Sequence, residues 1–159
     1  MLTSEQRRAM IGEIRRLPAL VAETIKGMND AQLDTPYGDG KWTARQVVHH
    51  LADSHMNGYG RTKLLLTESN PTVKPYDQEA WANTADVLAF PVTSSLNILD
   101  GLHTRWAKLM ESLSESDWQR TGNHPEHGPI TVEWILKIYS GHGVSHMSKI
   151  ADLRRARGW

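Results

Sequence analysis

The segment Val47 to Arg61, V-V-H-H-L-A-D-S-H-M-N-G-Y-G-R, decides the fold expected for this chain. At roughly 100° per residue its apolar side chains share one side, which predicts the middle of a long amphipathic helix. His50 lies at one edge of the apolar stripe, in a polar seam that Asn57 and Arg61 continue. Imidazole, amide and guanidinium groups along the shoulder of a buried helix are unusual for plain packing. They indicate the wall of a binding or catalytic site.

The same periodicity predicts three more long helices, separated by polar loops. Threonine followed three residues later by glutamine forms a capping-box pattern at Thr3 and again at Thr43. The pair Asn70-Pro71 stops the second helix. The predicted helices run from Thr3 to about Gly27, from Thr43 to about Thr67, from Thr93 to about Leu113 and from Thr131 to about Arg157.

Residues 70–92 form the longest irregular stretch, with one predicted helical turn at Asp77 to Ala82. A connection of this length is uncommon in compact domains and is often functional or a crossover. Residues Thr121 to Ile130 are rich in turn formers and predict a loop or a small hairpin. The sequence therefore predicts an all-α fold with a single domain at residues 1–159. The expected architecture is a four-helix bundle with a long crossover connection between helices 2 and 3.

The composition excludes several classes of protein. The charges balance to a formal net charge of zero, which gives no electrostatic footprint for nucleic acid or an anionic membrane surface. The absence of cysteine excludes disulfides, thiolate metal ligands and a cysteine nucleophile. No apolar run approaches the roughly 20 residues that a membrane-spanning helix needs, and Met1 to Arg8 contains no signal-peptide core. A cytoplasmic protein is expected.

The fourth helix carries two histidines on its buried face. His142 and His146 lie one turn apart, in the centre of the apolar stripe. Cβ atoms at this spacing stand about 5–6 Å apart, so both imidazoles can reach one ion. Together with His50 they predict a three-histidine metal site with an open position, the ligand set typical of catalytic zinc. The spacing does not choose between zinc, nickel and another divalent ion.

A competing interpretation treats these histidines as hydrogen-bonded core residues without a metal, because buried imidazoles also require polar partners. His49 falls opposite the apolar stripe and is expected at the surface. His55 falls inside the stripe, as a core residue or an alternative ligand. His124 and His127 lie in a loop, where solvated histidines are common.

Longer stretches of the chain resemble one protein family. They are D-T-P-Y-G-D-G-K-W-T-A-R-Q-V-V-H-H-L-A-D-S-H-M-N at Asp34 to Asn57, K-P-Y-D-Q-E-A-W at Lys74 to Trp81, H-T-R-W at His103 to Trp106 and the closing L-R-R-A-R-G-W. These stretches are similar to YfiT-type members of the DinB-like superfamily. The similarity spans nearly the whole chain.

The resemblance implies a four-helix bundle that forms cytoplasmic homodimers and carries zinc or nickel on three histidines. It places the ligands at His50, His142 and His146, the same three that the helical positions select. Proteins of this type are described as metal-dependent hydrolases, and some relatives transfer low-molecular-weight thiols such as bacillithiol onto electrophiles. This chain departs from them after His142, where it reads G-V-S-H-M-S-K and lacks further histidines around His146. The departure bears on the substrate class more than on metal binding.

The predicted activity is that of a metal-dependent hydrolase or a thiol S-transferase with a small-molecule substrate. The three imidazoles are expected to hold a divalent ion, zinc first and nickel second, that activates a water or a thiol nucleophile. Asn57 and Arg61 are predicted to orient an anionic group of the substrate, although they equally fit a buried polar network. Tyr76, Asp77 and Trp81 are predicted to form a lid. The alternative functions are a non-catalytic, metal-binding stress-response module and a helical interaction module.

Overall fold

Four long helices form the body of the protein, as the sequence predicts. A computed structural model describes residues 1–159. None of its helices is long and apolar enough to cross a lipid bilayer. The elements in chain order are α1 (Ser4–Thr24), α2 (Asp30–Leu33), α3 (Ala44–Thr67), α4 (Gln78–Trp81), α5 (Ala85–Ala89), α6 (Thr93–Glu111), α7 (Glu115–Trp118), β1 (Thr121–His124), β2 (Gly128–Thr131) and α8 (Val132–Arg157).

The helix starts follow local capping chemistry. Both predicted capping boxes form, because the hydroxyls of Thr3 and Thr43 accept from the backbone N–H three residues on and the glutamines there return the bond. Thr131 caps α8 by accepting from the Trp134 N–H. The prediction that Thr93 caps the third long helix is wrong by one residue, since Thr93 is already helical. The Pro91 carbonyl accepts from the Ser94 N–H, which starts this helix without a side-chain cap.

The bundle places α1 and α3 at opposite corners, and likewise α6 and α8. Helices α1 and α3 each pack against both α6 and α8. Helix α3 runs antiparallel to α8, since His50 lies beside His146 while Gly58 lies beside Tyr139. This antiparallel pair, rather than two helices adjacent in sequence, brings the two histidine-bearing segments together.

The long connection between α3 and α6 follows from the directions of these two helices. They run parallel, because His55 stacks on His103 and the Trp106 indole N–H donates to the Thr62 hydroxyl further along both helices. After α3, whose 24 residues rise about 36 Å, the chain must return to the opposite end of the bundle. Helices α4 and α5 lie on this return path, and α5 packs against α3.

His49 corrects the prediction of a surface histidine. Its side chain is buried because the crossover covers the outer face of α3. Its Nδ1 lies 2.8 Å from the Ser95 hydroxyl, and its Nε2 lies 3.2 Å from the Phe90 carbonyl oxygen. The helical wheel placed His49 away from the bundle core correctly, but a wheel does not report what packs over the other face.

A layer of histidines divides the apolar core into two clusters. One cluster surrounds Trp106 and Tyr139, and the other surrounds Leu51 and Met147. Along α6 and α8, histidines lie between the residues of one cluster and those of the other. The residues of this layer, called the histidine layer below, are His50, His55, His103, His142 and His146.

Gly58 permits the close approach of α3 to the aromatic cluster beneath the histidine layer. A Cβ atom at this position would lie 2.5 Å from Tyr139 Cζ and 2.7 Å from Trp106 Cη2, and neither ring is flexible. We expect G58A to lower the free energy of unfolding by about 1–3 kcal/mol through overpacking. G60A, on the same helix with nothing within 4 Å of its added methyl group, should raise it by about 0.5–1 kcal/mol. Urea denaturation measures both, and equal effects of the two variants would contradict this packing role.

Candidate metal centre

The histidine layer brings three ring nitrogens to one point at its solvent side. One ligand atom each from His50, His142 and His146 lies within 4.8 Å of the other two. The Nε2 atoms of His50 and His142 are 3.4 Å apart. Zinc–nitrogen bonds of about 2.0–2.1 Å in tetrahedral geometry separate two ligand nitrogens by about 3.3–3.4 Å. The observed spacing therefore fits two nitrogen ligands of one ion.

Local structure holds the three rings in place. His142 and His146 stand one turn apart on α8, with ring centroids separated by 4.7 Å. His50 lies in the second turn of α3, and Trp42 directly precedes Thr43, the cap of this helix. The Trp42 ring lies 4.6 Å from that of His50 and stacks nearly parallel to that of His146. Its indole N–H donates to the Glu79 carboxylate at 2.9 Å.

Burial keeps all three imidazoles neutral in the metal-free protein. Desolvation, reinforced by the neighbouring imidazoles and by Lys149, lowers the pKa of His50 to about 3. Desolvation is also the main reason that the pKa of His142 and that of His146 fall to about 4. A neutral imidazole offers a lone pair to a cation, so these rings are ligands without prior loss of a proton near pH 7.

One cavity is lined by the histidine layer, and a larger one lies on the other side of α4. His142 and His146 line a cavity of about 440 Å³, together with Lys41 and Lys149. Arg61 lines a second cavity of about 730 Å³. Gln78 and Glu79 of α4 line both cavities, so this short helix of the crossover separates them.

Comparison with known protein families assigns this chain to one of them. A family model described as the DinB superfamily matches residues 13–150. The chain belongs to the DinB superfamily.

Several curated proteins are similar to this chain over nearly its whole length. A protein from Oceanobacillus iheyensis is 46% identical over 149 residues, covering 94% of this chain and 86% of that protein. One from Bacillus cereus is 47% identical over 158 residues, covering 99% and 91%. Both are named "Putative metal-dependent hydrolase".

A solved structure of a similar protein has the same fold. YfiT from Bacillus subtilis matches with a TM-score of 0.97 and 42% sequence identity, covering 100% of this chain and 91% of that chain. It is described as "a probable metal-dependent hydrolase with an unusual four-helix bundle topology". The resemblance inferred from the sequence motifs and the four-helix bundle class are thereby confirmed.

Arg61 and Asn57 lie on opposite sides of the crossover. Arg61 reaches the larger cavity, where its Nε is buried without a hydrogen-bond partner while one terminal nitrogen donates to the Lys74 carbonyl. The Asn57 amide donates to the Asp53 carbonyl of its own helix and lines a separate cavity of about 310 Å³. The structure does not bring these two side chains to a common point. Their roles in orienting a substrate stay predictions.

The predicted lid residues meet beside the larger cavity. Tyr76 and Trp81 pack with ring centroids 4.7 Å apart, and the Asp77 carboxylate caps α4. Burial raises the pKa of Tyr76, so its phenol stays protonated. Desolvation, with a contribution from Asp86, raises the pKa of Asp53 to about 6. Tyr76 and Asp77 line the larger cavity, and the lid role of the three residues stays a prediction.

A second cluster at the β1–β2 turn was missed from the sequence. His124, Glu126 and His127 place potential ligand atoms within 4.8 Å of one another. His124 is buried, contrary to the expectation of a solvated loop residue, because the hairpin packs onto the bundle. The Glu126 N–H donates to His124 Nδ1 at 3.2 Å, which leaves the proton of the neutral ring on Nε2. The H-P-E-H motif was the signal available, but the hydrogen bond makes this cluster a poorer ligand set than the triad.

Acid should destabilise the metal-free protein through the triad. The folded pKa values of about 3 to about 4 lie below the ordinary value of 6.5, so the unfolded chain binds more protons between these limits. The free energy of unfolding therefore falls as the pH decreases from 6.5 to about 4 and levels off below the folded pKa values. Urea denaturation of chelator-treated protein measures this slope. In H146Q the slope should be shallower, and identical slopes for the two proteins would contradict the assignment.

Proposed function

We propose that this chain is a metal-dependent hydrolase or thiol S-transferase that uses His50, His142 and His146 as its metal ligands. The 3.4 Å separation of two of the ligand nitrogens, beside a cavity, carries this proposal. The names of the curated relatives support the hydrolase class. A low-molecular-weight thiol as the second substrate rests on the family resemblance alone, as does a cytoplasmic homodimer.

The donor set suits a divalent ion of intermediate softness. Three neutral imidazoles are common ligands of zinc and also suit nickel, so zinc is the first candidate and nickel the second. The Nδ1 of His146 is buried without a hydrogen-bond partner in the protein, so a lone pair of this ring is free for a metal ion. Such an ion would supply Lewis acidity that lowers the pKa of a water or a thiol nucleophile.

The residues around the triad position a small molecule and handle its proton. Trp42 covers one side of His50 and His146 and excludes water there. The Glu79 carboxylate lines the cavity beside His142 and His146, so a proton acceptor is present for a water nucleophile. A thiol nucleophile needs no such base after coordination. Hydrolysis and thiol transfer therefore remain the two forms of the proposal.

Arg61 is the residue that we propose to orient an anionic group of the substrate. It makes no salt bridge with any carboxylate, and its buried Nε has no partner in the protein. A half-buried guanidinium without a counter-ion favours an anion, because desolvation of an uncompensated charge is costly. A carboxylate in the larger cavity would supply that charge beside Tyr139.

Metal analysis tests the ligand assignment. The purified protein should hold about one divalent ion per chain, and H142A should hold none, because two imidazoles bind such ions far less tightly than three. H127Q removes a histidine of the hairpin cluster and should retain the ion. Retention by H142A with loss in H127Q would place the ion at the hairpin and contradict the assignment.

Activity then separates the two chemistries. Protein reloaded with zinc or nickel is incubated with an activated ester in water, and in parallel with a low-molecular-weight thiol and an alkylating electrophile. Turnover in either assay that disappears in H142A and persists in H127Q supports the corresponding enzyme. Metal binding without turnover in either assay would support the non-catalytic, metal-binding module instead.

Arg61 should discriminate between charged and neutral substrates. R61M is expected to lower kcat/KM for a carboxylate-bearing test ester by about 10- to 100-fold, the loss of one charge-assisted hydrogen bond. The neutral ester of the same alcohol should be affected much less, and R61K should recover part of the loss. Equal losses for both esters would show that Arg61 supports the fold rather than the substrate.

A further inference from the structure

His55 has a position in the histidine layer that neither the metal assignment nor the packing of the core accounts for. It is fully buried at the centre of α3, and it is not one of the three clustered ligand residues. Its Nε2 lies 3.1 Å from Nδ1 of His142. Its own Nδ1 is buried with no hydrogen-bond partner. A buried imidazole with one partner, and that partner a candidate ligand, is costly unless the contact has a use.

The neighbouring histidine fixes the surroundings of His55 from the other side. His103 Nδ1 contacts the Ile14 carbonyl oxygen, which only accepts, so the proton of His103 lies on Nδ1. The two rings stack with centroids 4.9 Å apart and planes 19° apart. Tyr139 packs edge-on against the His55 ring at 5.0 Å. These contacts hold the plane of His55, so its Nε2 stays directed at His142.

The position of the proton between His55 and His142 decides what His142 can do. A neutral imidazole carries one proton, on one of its two nitrogens. If the proton of His142 lies on Nε2, that nitrogen cannot bind a cation. If it lies on Nδ1, then Nε2 is free, and the Nδ1–H requires an acceptor in a buried environment. His55 Nε2 is the partner within hydrogen-bond distance.

We propose that His55 is a positioning residue that accepts a hydrogen bond from His142 Nδ1–H and so holds His142 in the tautomer whose Nε2 faces the metal site. This inference rests on the proposed function. The acceptor for a metal-bound histidine is commonly a carboxylate, a backbone carbonyl or water. Here a second neutral imidazole has that role, and the donor set therefore stays free of negative charge.

The proposal requires an unusual tautomer for His55 itself. Because its Nε2 accepts, its proton must lie on Nδ1, the atom that is buried without a partner. The N–H group without an acceptor therefore lies on His55 and not on His142. The cation compensates for this arrangement when it binds, since it withdraws electron density from His142 and strengthens the Nδ1–H donor.

Zinc affinity of three variants tests this role. H55F removes the acceptor, and we expect its zinc dissociation constant to rise about 10- to 100-fold. H55Q places an amide oxygen near the former Nε2 and should recover most of the affinity. H103F is the matched control, because it also replaces a fully buried histidine of the layer by phenylalanine, keeps an aromatic ring beside His55 and leaves the acceptor intact. Competition with a chromophoric chelator gives the constants, and thermal denaturation of the metal-free variants reports their folding.

Nitrogen-15 NMR of the zinc-loaded wild-type protein gives a readout that does not depend on any variant. The expected spectrum shows His55 protonated at Nδ1 and His142 protonated at Nδ1. A proton on Nε2 of His55 would overturn the inference, as would equal affinities of H55F and H103F. A wild-type chain that binds no divalent ion would instead overturn the proposed function, and this inference with it.

Discussion

Burial of imidazole nitrogen is the constraint on which the rest of this structure depends. Five histidines cross the bundle in one layer, between two apolar clusters that could otherwise merge. Each ring brings two nitrogens that need a partner in a medium of low polarity. The Ile14 carbonyl satisfies one of them, a second imidazole satisfies another, and one nitrogen of each triad ring converges at the cavity. A cation at that point would bind these three nitrogens, whereas His55 Nδ1 and His103 Nε2 are buried without a partner.

The bundle topology makes this layer possible. A simple up-and-down bundle would place α1 beside α3, whereas here they occupy opposite corners and α3 pairs antiparallel with α8. The same topology requires a long return path between the parallel helices α3 and α6. That path supplies the helix between the two cavities and covers the outer face of α3. The longest connection of the fold therefore also forms a wall of its candidate site.

Much of this could be predicted from the sequence because the deciding forces are local. Helical periodicity and two capping boxes gave the long helices, and the spacing of His142 and His146 placed both rings on one face. Apart from the start of α6, the errors concern contacts across the fold. His49 is buried by a crossover whose path no helical wheel contains, and the partner of His55 depends on the register of α3 against α8. The helical positions and the family resemblance both selected His50 as the third ligand, but neither gave the orientation of any ring.

Trp42 has a consequence that extends beyond its packing. Its indole lies against two rings of the triad and is tied through its N–H to a carboxylate on the short helix between the cavities. Occupation of the site would therefore change the polarity around this indole. Because the chain has six tryptophans, the optical signal of the site is the part of the emission that a W42F variant lacks.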